Sequence, residues 1–366
     1  MKIGFDAKRF YHNYSGLGQY SRYIVHQLAR LYPSNEYFLI AAESARDYDG
    51  PLQDNYVPLQ GPGFYRRSID MRELWKQLEL DVYHGLSNEI PQRISSNTKT
   101  VVTIHDMLYE DFPEDYSWID RRIYRWKTGR SVKKADHIVT ISHKVKRELK
   151  ERYKIEDDRI TVVYQSCREE FKKAPEADVI KTLREDLNLL RPYLICVSSF
   201  SHRKNQYTLI EAFYHSGLWK DIDLVLVGKE NKYQKKLKGL VASLDIQQAV
   251  RFLSPRTDMD IVTLYHGAKA VIYPSRKEGF GIPVLEGMAS GRPVIVKEDT
   301  SCQEIGGDAV LTFNGSIADL AEKMLEIIND TELAEELVEK GRERIKEFAP
   351  EKEIPKLMKV YEGLVG

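Results

Sequence analysis

Two glutamates in the second half of the chain flank a glycine-rich turn and carry the most specific chemical signal. Glu278 is followed directly by Gly279-Phe280-Gly281, and seven residues separate it from Glu286. Glycines let the backbone approach a ligand closely, and N–H groups at a helix start hold phosphate or hydroxyl oxygens. We therefore expect both carboxylates to face one cleft and to accept hydrogen bonds from sugar hydroxyls. The alternative is solvated surface, where two glutamates at this spacing are more often found.

A second signal is the tripeptide Arg203-Lys204-Asn205. It follows a predicted strand at 193–197 and precedes a predicted helix at 207–215. Cations at the carboxyl end of a strand, beside a helix N-terminus, suit a diphosphate whose leaving oxygen gains charge as a glycosidic bond breaks. The alternative is a charged pair at the solvated entrance of a helix.

Two weaker signals lie in the first half of the chain. Gly16 and Gly18 stand between the first predicted strand and a predicted helix. A NAD site is disfavoured because Ser21 stands where a dinucleotide fingerprint needs a third small residue. His105 and Asp106 end another predicted strand, where a histidine can face the ligand cleft. A flexible glycine turn and a structural histidine are the respective alternatives.

Further motifs follow in order along nearly the whole chain: Ala135-Asp-His-Ile-Val-Thr-Ile-Ser142, Leu264-Tyr-His-Gly-Ala268 and Gly291-Arg-Pro-Val294. Together with the signals above, these motifs resemble the retaining GT-B-fold glycosyltransferases of glycosyltransferase family 4, and among them bacterial mannosyltransferase-like members. The resemblance implies transfer of a hexose from a nucleoside-diphosphate sugar to a glycan or lipid-linked acceptor in polysaccharide biosynthesis. It slightly favours GDP-mannose over UDP-sugars and implies no cofactor beyond this co-substrate.

The resemblance also implies roles for the candidate residues. Arg203 and Lys204 would bind the donor diphosphate, Glu278 the donor-sugar hydroxyls and Glu286 the ribose hydroxyls. His105 would contact the donor sugar, while the backbone at Gly16 and Gly18 and at Gly279, Phe280 and Gly281 would approach the donor. We expect the cations to replace a divalent ion, because no Asp-x-Asp motif stands at a predicted strand end. With no clear carboxylate nucleophile, we expect front-face attack rather than double displacement.

Short β-branched runs alternate with amphipathic stretches in both halves, which predicts two Rossmann-like α/β domains facing a central cleft. We expect an acceptor domain at 1–172, a donor domain at 173–350 and a C-terminal helix at 351–366 that packs back on the first domain. The polar segment 167–190, with Pro175, is predicted to be the connection. Predicted strands lie at 2–6, 37–41, 82–84, 100–104, 137–141, 160–163, 193–197, 224–227, 250–253, 270–273, 293–296 and 309–313.

Composition and charge exclude several classes of protein. The 366 residues include 55 Lys+Arg and 55 Asp+Glu, so the zero net charge disfavours a generally basic nucleic-acid binder. Apolar runs are too short to span a bilayer, and the charged N-terminal segment 1–10 does not resemble a secretion signal. Three widely spaced cysteines encode neither a disulfide framework nor a zinc site. We expect a cytoplasmic protein.

Residues 118–150 depart from this neutrality. They contain eleven Lys and Arg against three Asp and Glu, a local charge of +8, with Trp118, Tyr124 and Trp126 among the first of them. This composition predicts peripheral contact with an anionic membrane, on its inner face, or with a lipid-diphosphate acceptor. A solvated helix face is the alternative.

Competing functions have less support. A nucleotide-sugar epimerase or a phosphorylase of similar fold lacks its motif here, and the N-terminus argues against a periplasmic sugar-binding protein. We expect acceptor specificity to reside in first-domain loops such as 60–70, and base recognition to involve the backbone near 253–256.

Overall fold

The computed structural model describes residues 1–13, 16–41, 52, 55–58, 71–93, 97–254 and 257–366, without the side chains of residues 12 and 72. These residues form two compact units: unit 1 comprises residues 1–165 and 348–366, and unit 2 comprises residues 166–347. The boundaries expected from the sequence, after residues 172 and 350, both fall slightly later. The loop at 60–70, where acceptor recognition was expected, lies outside the described residues, and of the segment 253–256, where base recognition was expected, only residues 253 and 254 are described.

Unit 1 contains a parallel sheet whose described strands are ordered β3-β2-β1-β4-β5-β6-β7. Their bounds are β1 Lys2–Asp6, β2 Glu36–Ala41, β3 Tyr56–Pro58, β4 Val82–Gly85, β5 Lys99–Ile104, β6 His137–Thr140 and β7 Ile160–Val162. The inner strands are buried on both faces because helices cover a parallel sheet on each side. Strand β3 was not predicted, because a three-residue edge strand carries almost no periodic signal.

The helices of unit 1 cover this sheet. They are α1 Lys8–His12, α2 Gly16–Leu31, α3 Arg72–Leu78, α4 Leu108–Asp111, α5 Trp118–Lys134, α6 His143–Tyr153 and, after unit 2, α15 Pro350–Val365. Helix α2 buries Tyr20, Ile24 and Leu28 at helical spacing, and α15 packs against α2. Short 3-10 turns lie at Pro113–Asp115 and Asp157–Arg159, and another, Ile345–Phe348, spans the boundary between the units.

Unit 2 contains a second parallel sheet with the described order β10-β9-β8-β11-β12-β13. Its strands are β8 Tyr193–Val197, β9 Asp223–Val227, β10 Val250–Leu253, β11 Ala270–Tyr273, β12 Val294–Lys297 and β13 Leu311–Phe313. The helices are α7 Ala177–Asp186, α8 Gln206–Ser216, α9 Lys232–Ser243, α10 Asp258–Gly267, α11 Ile282–Ala289, α12 Ser301–Gly306, α13 Ile317–Asn329 and α14 Thr331–Arg344. Its 3-10 turns are Glu169–Lys172, Leu218–Lys220 and Gly307–Ala309.

The prediction that 167–190 is a polar linker was wrong. Most of this segment belongs to unit 2, where α7 packs against α10. Ile180, Leu183 and Leu187 are half-buried at i, i+3 and i+7, which is one face of a helix. The many charged residues between these three positions obscure that pattern in the sequence.

In each parallel sheet the order in which strands are added along the chain reverses once, beside the first strand of the unit. The candidate residues lie near these two reversal points. In unit 2 the first strand, β8, lies beside β11, with β9 and β10 on its other side. In unit 1, β1 likewise lies between β2 and β4. Ligands of open parallel sheets bind at the carboxyl ends of strands where the order reverses. Arg203 and Glu278 follow β8 and β11, and His105 follows β5, which neighbours β4.

Candidate functional site

The carboxylate of Glu278 is the centre of a cluster at the ends of β8 and β11. Its Oε1 lies 2.6 Å from Nζ of Lys204 and 2.8 Å from Nη1 of Arg203. The hydroxyls of Ser275 and Tyr273 donate to the same oxygen at 2.5 and 3.1 Å. The structure thus brings together three side chains selected from the sequence and adds two hydroxyls that the sequence analysis did not single out.

Opposing effects fix the charge of Glu278. Burial by itself raises the pKa of this carboxyl, because a charge loses solvation in the interior. The positive charges of Lys204 and Arg203, with hydrogen bonds from Lys204 and Ser275, outweigh burial and lower the pKa to about 2. Glu278 is therefore ionised at neutral pH and holds both cations at one point.

Asn205 ties the loop after β8 to the loop after β11. Its backbone is left-handed, with φ of 60°, and it precedes the first residue of α8. Its Nδ2 donates to the Pro274 carbonyl at 3.2 Å, while its Oδ1 accepts from Thr208 and Arg276. The Arg276 amide donates to the Arg203 carbonyl at 2.9 Å. These bonds fix the positions of Arg203 and Lys204 relative to Glu278.

Gly281 ends the glycine turn and is the N-cap residue of α11. Its φ is 111°, a conformation that residues with a side chain rarely adopt. A Cβ here would lie 2.7 Å from the Cys302 sulfur, so the position requires glycine sterically as well. Pro283 lies in the first turn of α11, where its missing N–H removes no helical hydrogen bond.

Glu286 lies one turn inside α11, with partners different from those of Glu278. Only 7% of the residue is exposed, and Tyr265 donates its hydroxyl to Oε2 at 3.2 Å. Burial raises the pKa of Glu286 to about 7, although the charge of Arg168 and the Tyr265 hydrogen bond oppose the shift. Arg168 packs 5.1 Å above the Phe171 ring and pairs with Asp258 at 2.5 Å. The sequence motif predicted Glu286 as a binding residue, but it did not predict that Tyr265 and Arg168 lie around it.

His105 lies at the carboxyl end of β5 in unit 1 and is 5% exposed. Its Nε2 lies 2.8 Å from the Leu86 carbonyl, which can only accept, so the ring proton is on Nε2. The Tyr20 ring packs edge-on against it at 4.6 Å. Burial lowers the pKa of His105 to about 4, so the imidazole is neutral at pH 7 and Nδ1 is an acceptor.

His105 also lines a cavity of about 330 Å³ at the strand ends of unit 1. The lining combines cations, acids and tyrosines: Lys8, Arg9, Leu17, Ser87, Asn88, Glu89, His105, Asp106, Tyr109, Tyr116, Tyr124, Lys127 and Thr128. Tyrosine rings with charged and hydroxyl groups suit a sugar, whose faces are apolar and whose rim is polar. The cavity is large enough for a small polar ligand.

The glycines Gly16 and Gly18 belong to the first turn of α2 rather than to a loop before it. Gly16 is exposed, whereas Gly18 is buried, and a Cβ at Gly18 would lie 1.6 Å from the Asn13 carbonyl oxygen. Local packing therefore gives a sufficient reason for glycine at position 18. Neither residue lines the cavity, although Leu17 between them does.

A buried polar network beneath the cavity was not found from the sequence. His84 places Nδ1 2.6 Å from the Tyr361 hydroxyl and Nε2 2.8 Å from the Thr103 hydroxyl. Tyr20, whose ring packs on His105, shares the Thr103 hydroxyl at 3.1 Å. Burial, with a smaller contribution from His105, lowers the pKa of His84 to about 3. These groups connect β4, β5, α2 and the C-terminal helix α15.

Among the residues that the structure describes, no three His, Cys, Asp or Glu side chains are grouped to hold a metal ion. The described helices include none that is both long and apolar enough to cross a bilayer.

The two Rossmann-like units are those of a GT-B-fold glycosyltransferase. Residues 14–167 match the family described as Glycosyltransferase Family 4, and residues 180–344 match the family Glycosyl transferases group 1. The chain belongs to the glycosyltransferases of family 4. The resemblance noted in its sequence motifs is thereby confirmed.

The chain is similar in sequence to two bacterial members of this family. The chain is 29% identical to the O-antigen chain mannosyltransferase RfbU of Salmonella typhimurium, over 58% of this chain and 56% of that one. It is 26% identical to the O-antigen chain mannosyltransferase B of Escherichia coli, over 95% and 96% of the two chains.

Solved structures confirm the predicted GT-B fold class. A glycosyltransferase from Rickettsia africae superposes with a TM-score of 0.76 at 18% identity, covering 100% of this chain and 98% of that one. The HepE protein of Anabaena, solved in complex with UDP-glucose, gives a TM-score of 0.74 at 19% identity, covering 99% and 100%. At these identities the likeness concerns the fold alone.

Proposed function

We propose that the chain transfers a hexose from a nucleoside-diphosphate sugar to a hydroxyl of a glycan or lipid-linked acceptor, with retention at the anomeric carbon. One observation carries the proposal. Arg203 and Lys204 converge on Glu278 at the adjacent ends of β8 and β11, where the strand order of unit 2 reverses. A diphosphate with its sugar requires such a set, namely two cations for the phosphates and a carboxylate for sugar hydroxyls.

Donor binding would rearrange this cluster. The phosphate oxygens are stronger partners for Arg203 and Lys204 than a single carboxylate oxygen, because they carry more charge and more acceptor sites. Glu278 would then accept hydroxyl hydrogen bonds from the sugar while Ser275 and Tyr273 continue to orient it. As the glycosidic bond breaks, the cations would stabilise the charge that develops on the departing diphosphate.

Retention is proposed to follow front-face attack rather than double displacement. A double displacement needs a carboxylate free to bond the anomeric carbon. Glu278 instead holds two cations and two hydroxyls on one oxygen, which stabilises its charge and lowers its nucleophilicity. The acceptor hydroxyl would therefore approach on the side that the diphosphate leaves, through an ion-pair transition state. NMR of the product, giving the anomeric configuration against that of the donor, tests this step.

The donor is proposed to be GDP-mannose, with UDP-hexoses as the alternative. The two O-antigen mannosyltransferases above support mannose, while the UDP-glucose complex of HepE shows that a protein of this fold accommodates a UDP-sugar. A screen of GDP-, UDP- and ADP-hexoses would follow slow donor hydrolysis and protection from thermal unfolding. If no nucleoside diphosphate at millimolar concentration shifts the melting temperature, the transferase proposal fails.

We also propose that transfer needs no divalent metal and no other cofactor, because Arg203 and Lys204 supply the positive charge at the diphosphate. Activity unchanged by EDTA supports this; activity restored only by added Mg²⁺ or Mn²⁺ contradicts it.

The acceptor is proposed to bind the unit 1 cavity, and His105 to contact a donor-sugar hydroxyl through Nδ1. A role in polysaccharide biosynthesis at the cytoplasmic face of a membrane completes the proposal.

A further inference from the structure

The first half of α5 exposes large apolar side chains to an unusual extent. Trp118, Ile119, Ile123 and Trp126 are between 42 and 67% exposed. They lie within nine consecutive residues, which also include the exposed Tyr124, whereas the remaining exposed large apolar residues of the described chain are scattered. Single exposed apolar residues are ordinary, but a contiguous group marks a surface that contacts something.

These side chains share one face of the helix. At about 3.6 residues per turn, all four and Arg122 fall within an arc of about 140° around the helix axis, from Trp118 at one edge to Ile123 at the other. The Arg122 guanidinium lies 6.0 Å from the Trp118 ring centre. We call these five residues the α5 face. The opposite side of α5 is buried through Thr128, Ser131 and Val132.

Only some of the cations in 118–150 contribute to the surface charge of this region. Several are engaged with acids of unit 1: Arg125 with Glu110, Lys127 with Glu89, and Lys146 and Lys150 both with Asp157. Their net contribution to a surface charge is therefore small. Exposed cations remain on α5 at Arg122 and, beyond the α5 face, at Lys133 and Lys134.

The acidic side chain of α5 does not belong to the α5 face. Asp120, the one acidic residue of this helix, accepts from the Ser117 hydroxyl at 2.7 Å at the N-cap. The α5 face therefore combines tryptophan, isoleucine and arginine without a carboxylate. Tryptophan and arginine together favour the headgroup region of a bilayer, because the rings enter the acyl boundary while the cation remains at the phosphates. An anionic lipid surface matches both components.

The same helix lines the candidate acceptor cavity. Tyr124, Lys127 and Thr128 project from α5 into that cavity, on other sides of the helix from the α5 face. A helix lying on a lipid surface would therefore hold the cavity next to the headgroups. An acceptor glycan carried by a lipid could enter it without leaving the membrane.

We propose that the α5 face docks on an anionic lipid bilayer, with Trp118, Ile119, Ile123 and Trp126 in the interface, and that the acceptor is a lipid-linked glycan taken from that bilayer. The docking stands on the α5 face alone, whereas the nature of the acceptor rests on the proposed function. This contact differs from a purely electrostatic one because apolar insertion contributes most of it. High salt should therefore weaken it only in part.

The test uses the full chain with vesicles of phosphatidylcholine alone and of an equimolar mixture with phosphatidylglycerol, without nucleotide. We expect sedimentation with the anionic vesicles and quenching of tryptophan fluorescence by brominated lipid. The double variant W118S/W126S should lose binding by about tenfold or more and lose the quenching, because Trp75 is buried and Trp219 belongs to unit 2. The matched control L190S/Y207S removes two exposed apolar residues of unit 2 and should bind as the wild type does.

Three results would overturn the docking proposal. The first is wild-type binding retained by W118S/W126S, and the second is no vesicle binding by either protein. The third is a concentration-dependent dimer in sedimentation velocity that W118S/W126S abolishes, which would assign the α5 face to a second copy of the chain. Nucleotide binding, measured by thermal shift, is independent of all three, so failure of the transferase proposal is recognised separately.

The lipid-linked acceptor is tested with radiolabelled GDP-mannose and UDP-glucose, the chain and a bacterial membrane fraction. Label that enters the organic extract supports the proposal. Label that enters only water-soluble product overturns it.

Discussion

The ammonium of Lys204 lies 2.6 Å from the Glu278 carboxylate, and both side chains are only 11% exposed. The alternative raised by the sequence placed Arg203 and Lys204 as a charged pair at the solvated entrance of a helix. The structure contradicts this alternative, because Lys204 also donates to the Tyr273 hydroxyl at 2.5 Å and lies 5.0 Å from the centre of that ring. Lys204 is thus part of a largely buried charge cluster.

Lys204→Met keeps most of the side-chain volume and removes the charge. We expect about a hundredfold loss of transfer, since the cation stabilises the leaving diphosphate. We also expect the free energy of unfolding to fall by about 2 kcal/mol, because Glu278 keeps only one of its two cations. Urea unfolding and donor hydrolysis measure the two effects.

Lys235→Met, at an exposed lysine of α9, is the control and should change neither quantity. The double variant K204M/E278Q should recover stability but not activity. Turnover of K204M close to that of K235M would contradict the role assigned to Lys204.

Glu286 predicts a pH dependence of unit 2. Its pKa of about 7 in the folded chain lies above its ordinary value of 4.5, so folding favours the protonated form. The resulting stability is present below pH 4.5 and is lost as the pH rises through about 7. The loss is at most about 3 kcal/mol. Urea unfolding of wild type and Glu286→Gln at pH 5 and pH 8 measures it.

The difference in stability between wild type and E286Q should decrease between these two pH values. Nucleoside-diphosphate affinity should rise from pH 6 to 8 in the wild type alone, because the ionised carboxylate accepts more ribose hydrogen bonds. A constant difference in stability would show that Glu286 titrates normally.

For His105 we expect the free energy of unfolding to change with pH in the opposite direction. Its folded pKa of about 4 lies below the ordinary value of 6.5, so the unfolded chain takes up a proton first on acidification. Stability is therefore lost as the pH falls from 6.5 towards 4, by about 3 kcal/mol at the lower limit. His105→Asn should flatten this slope in urea unfolding, whereas the exposed control His215→Asn should not.

His105→Asn should also lower kcat/KM for the donor by about tenfold through the lost sugar contact. Because the imidazole is neutral, its contribution to the wild-type rate should not titrate between pH 6 and 8. A rate profile with an inflection near 6.5 that H105N removes would contradict the neutral assignment.

Tyr361→Phe tests the buried network that anchors α15. The substitution leaves Nδ1 of His84 without its partner at 2.6 Å in a fully buried position. We expect a loss of about 1–3 kcal/mol in the free energy of unfolding. Tyr207→Phe, at an exposed tyrosine, should be neutral. Equal stability of the two variants would mean that the Tyr361 hydrogen bond contributes nothing.

Much of the fold was predictable because buried strands have a recognisable sequence pattern. The strands at 2–6, 193–197, 250–253 and 270–273 were predicted with the bounds that the structure shows. In a chain of alternating strands and helices, a continuous apolar β-branched run bounded by turns predicts a buried strand of a parallel sheet. By contrast, the role of Ser142, the last residue of the motif at 135–142, was not predictable: it is buried and caps α6 by accepting from the Val145 amide. A cap and a ligand contact use the same residue type at the same strand end.

The sequence by itself determined the alternation of strands and helices, the family and the identity of the charged candidates Arg203, Lys204 and Glu278. Only the tertiary structure decided their partners. Lys204 and Glu278 are 74 residues apart and meet because β8 and β11 are neighbours in the sheet. Both carboxyls are buried, but Lys204 and Arg203 lower the pKa of Glu278, whereas at Glu286 the effect of burial outweighs the charge of Arg168 and the Tyr265 hydrogen bond. Periodicity and motif spacing are local properties of a chain, whereas charge, solvation and hydrogen-bond partners depend on segments that the fold brings together.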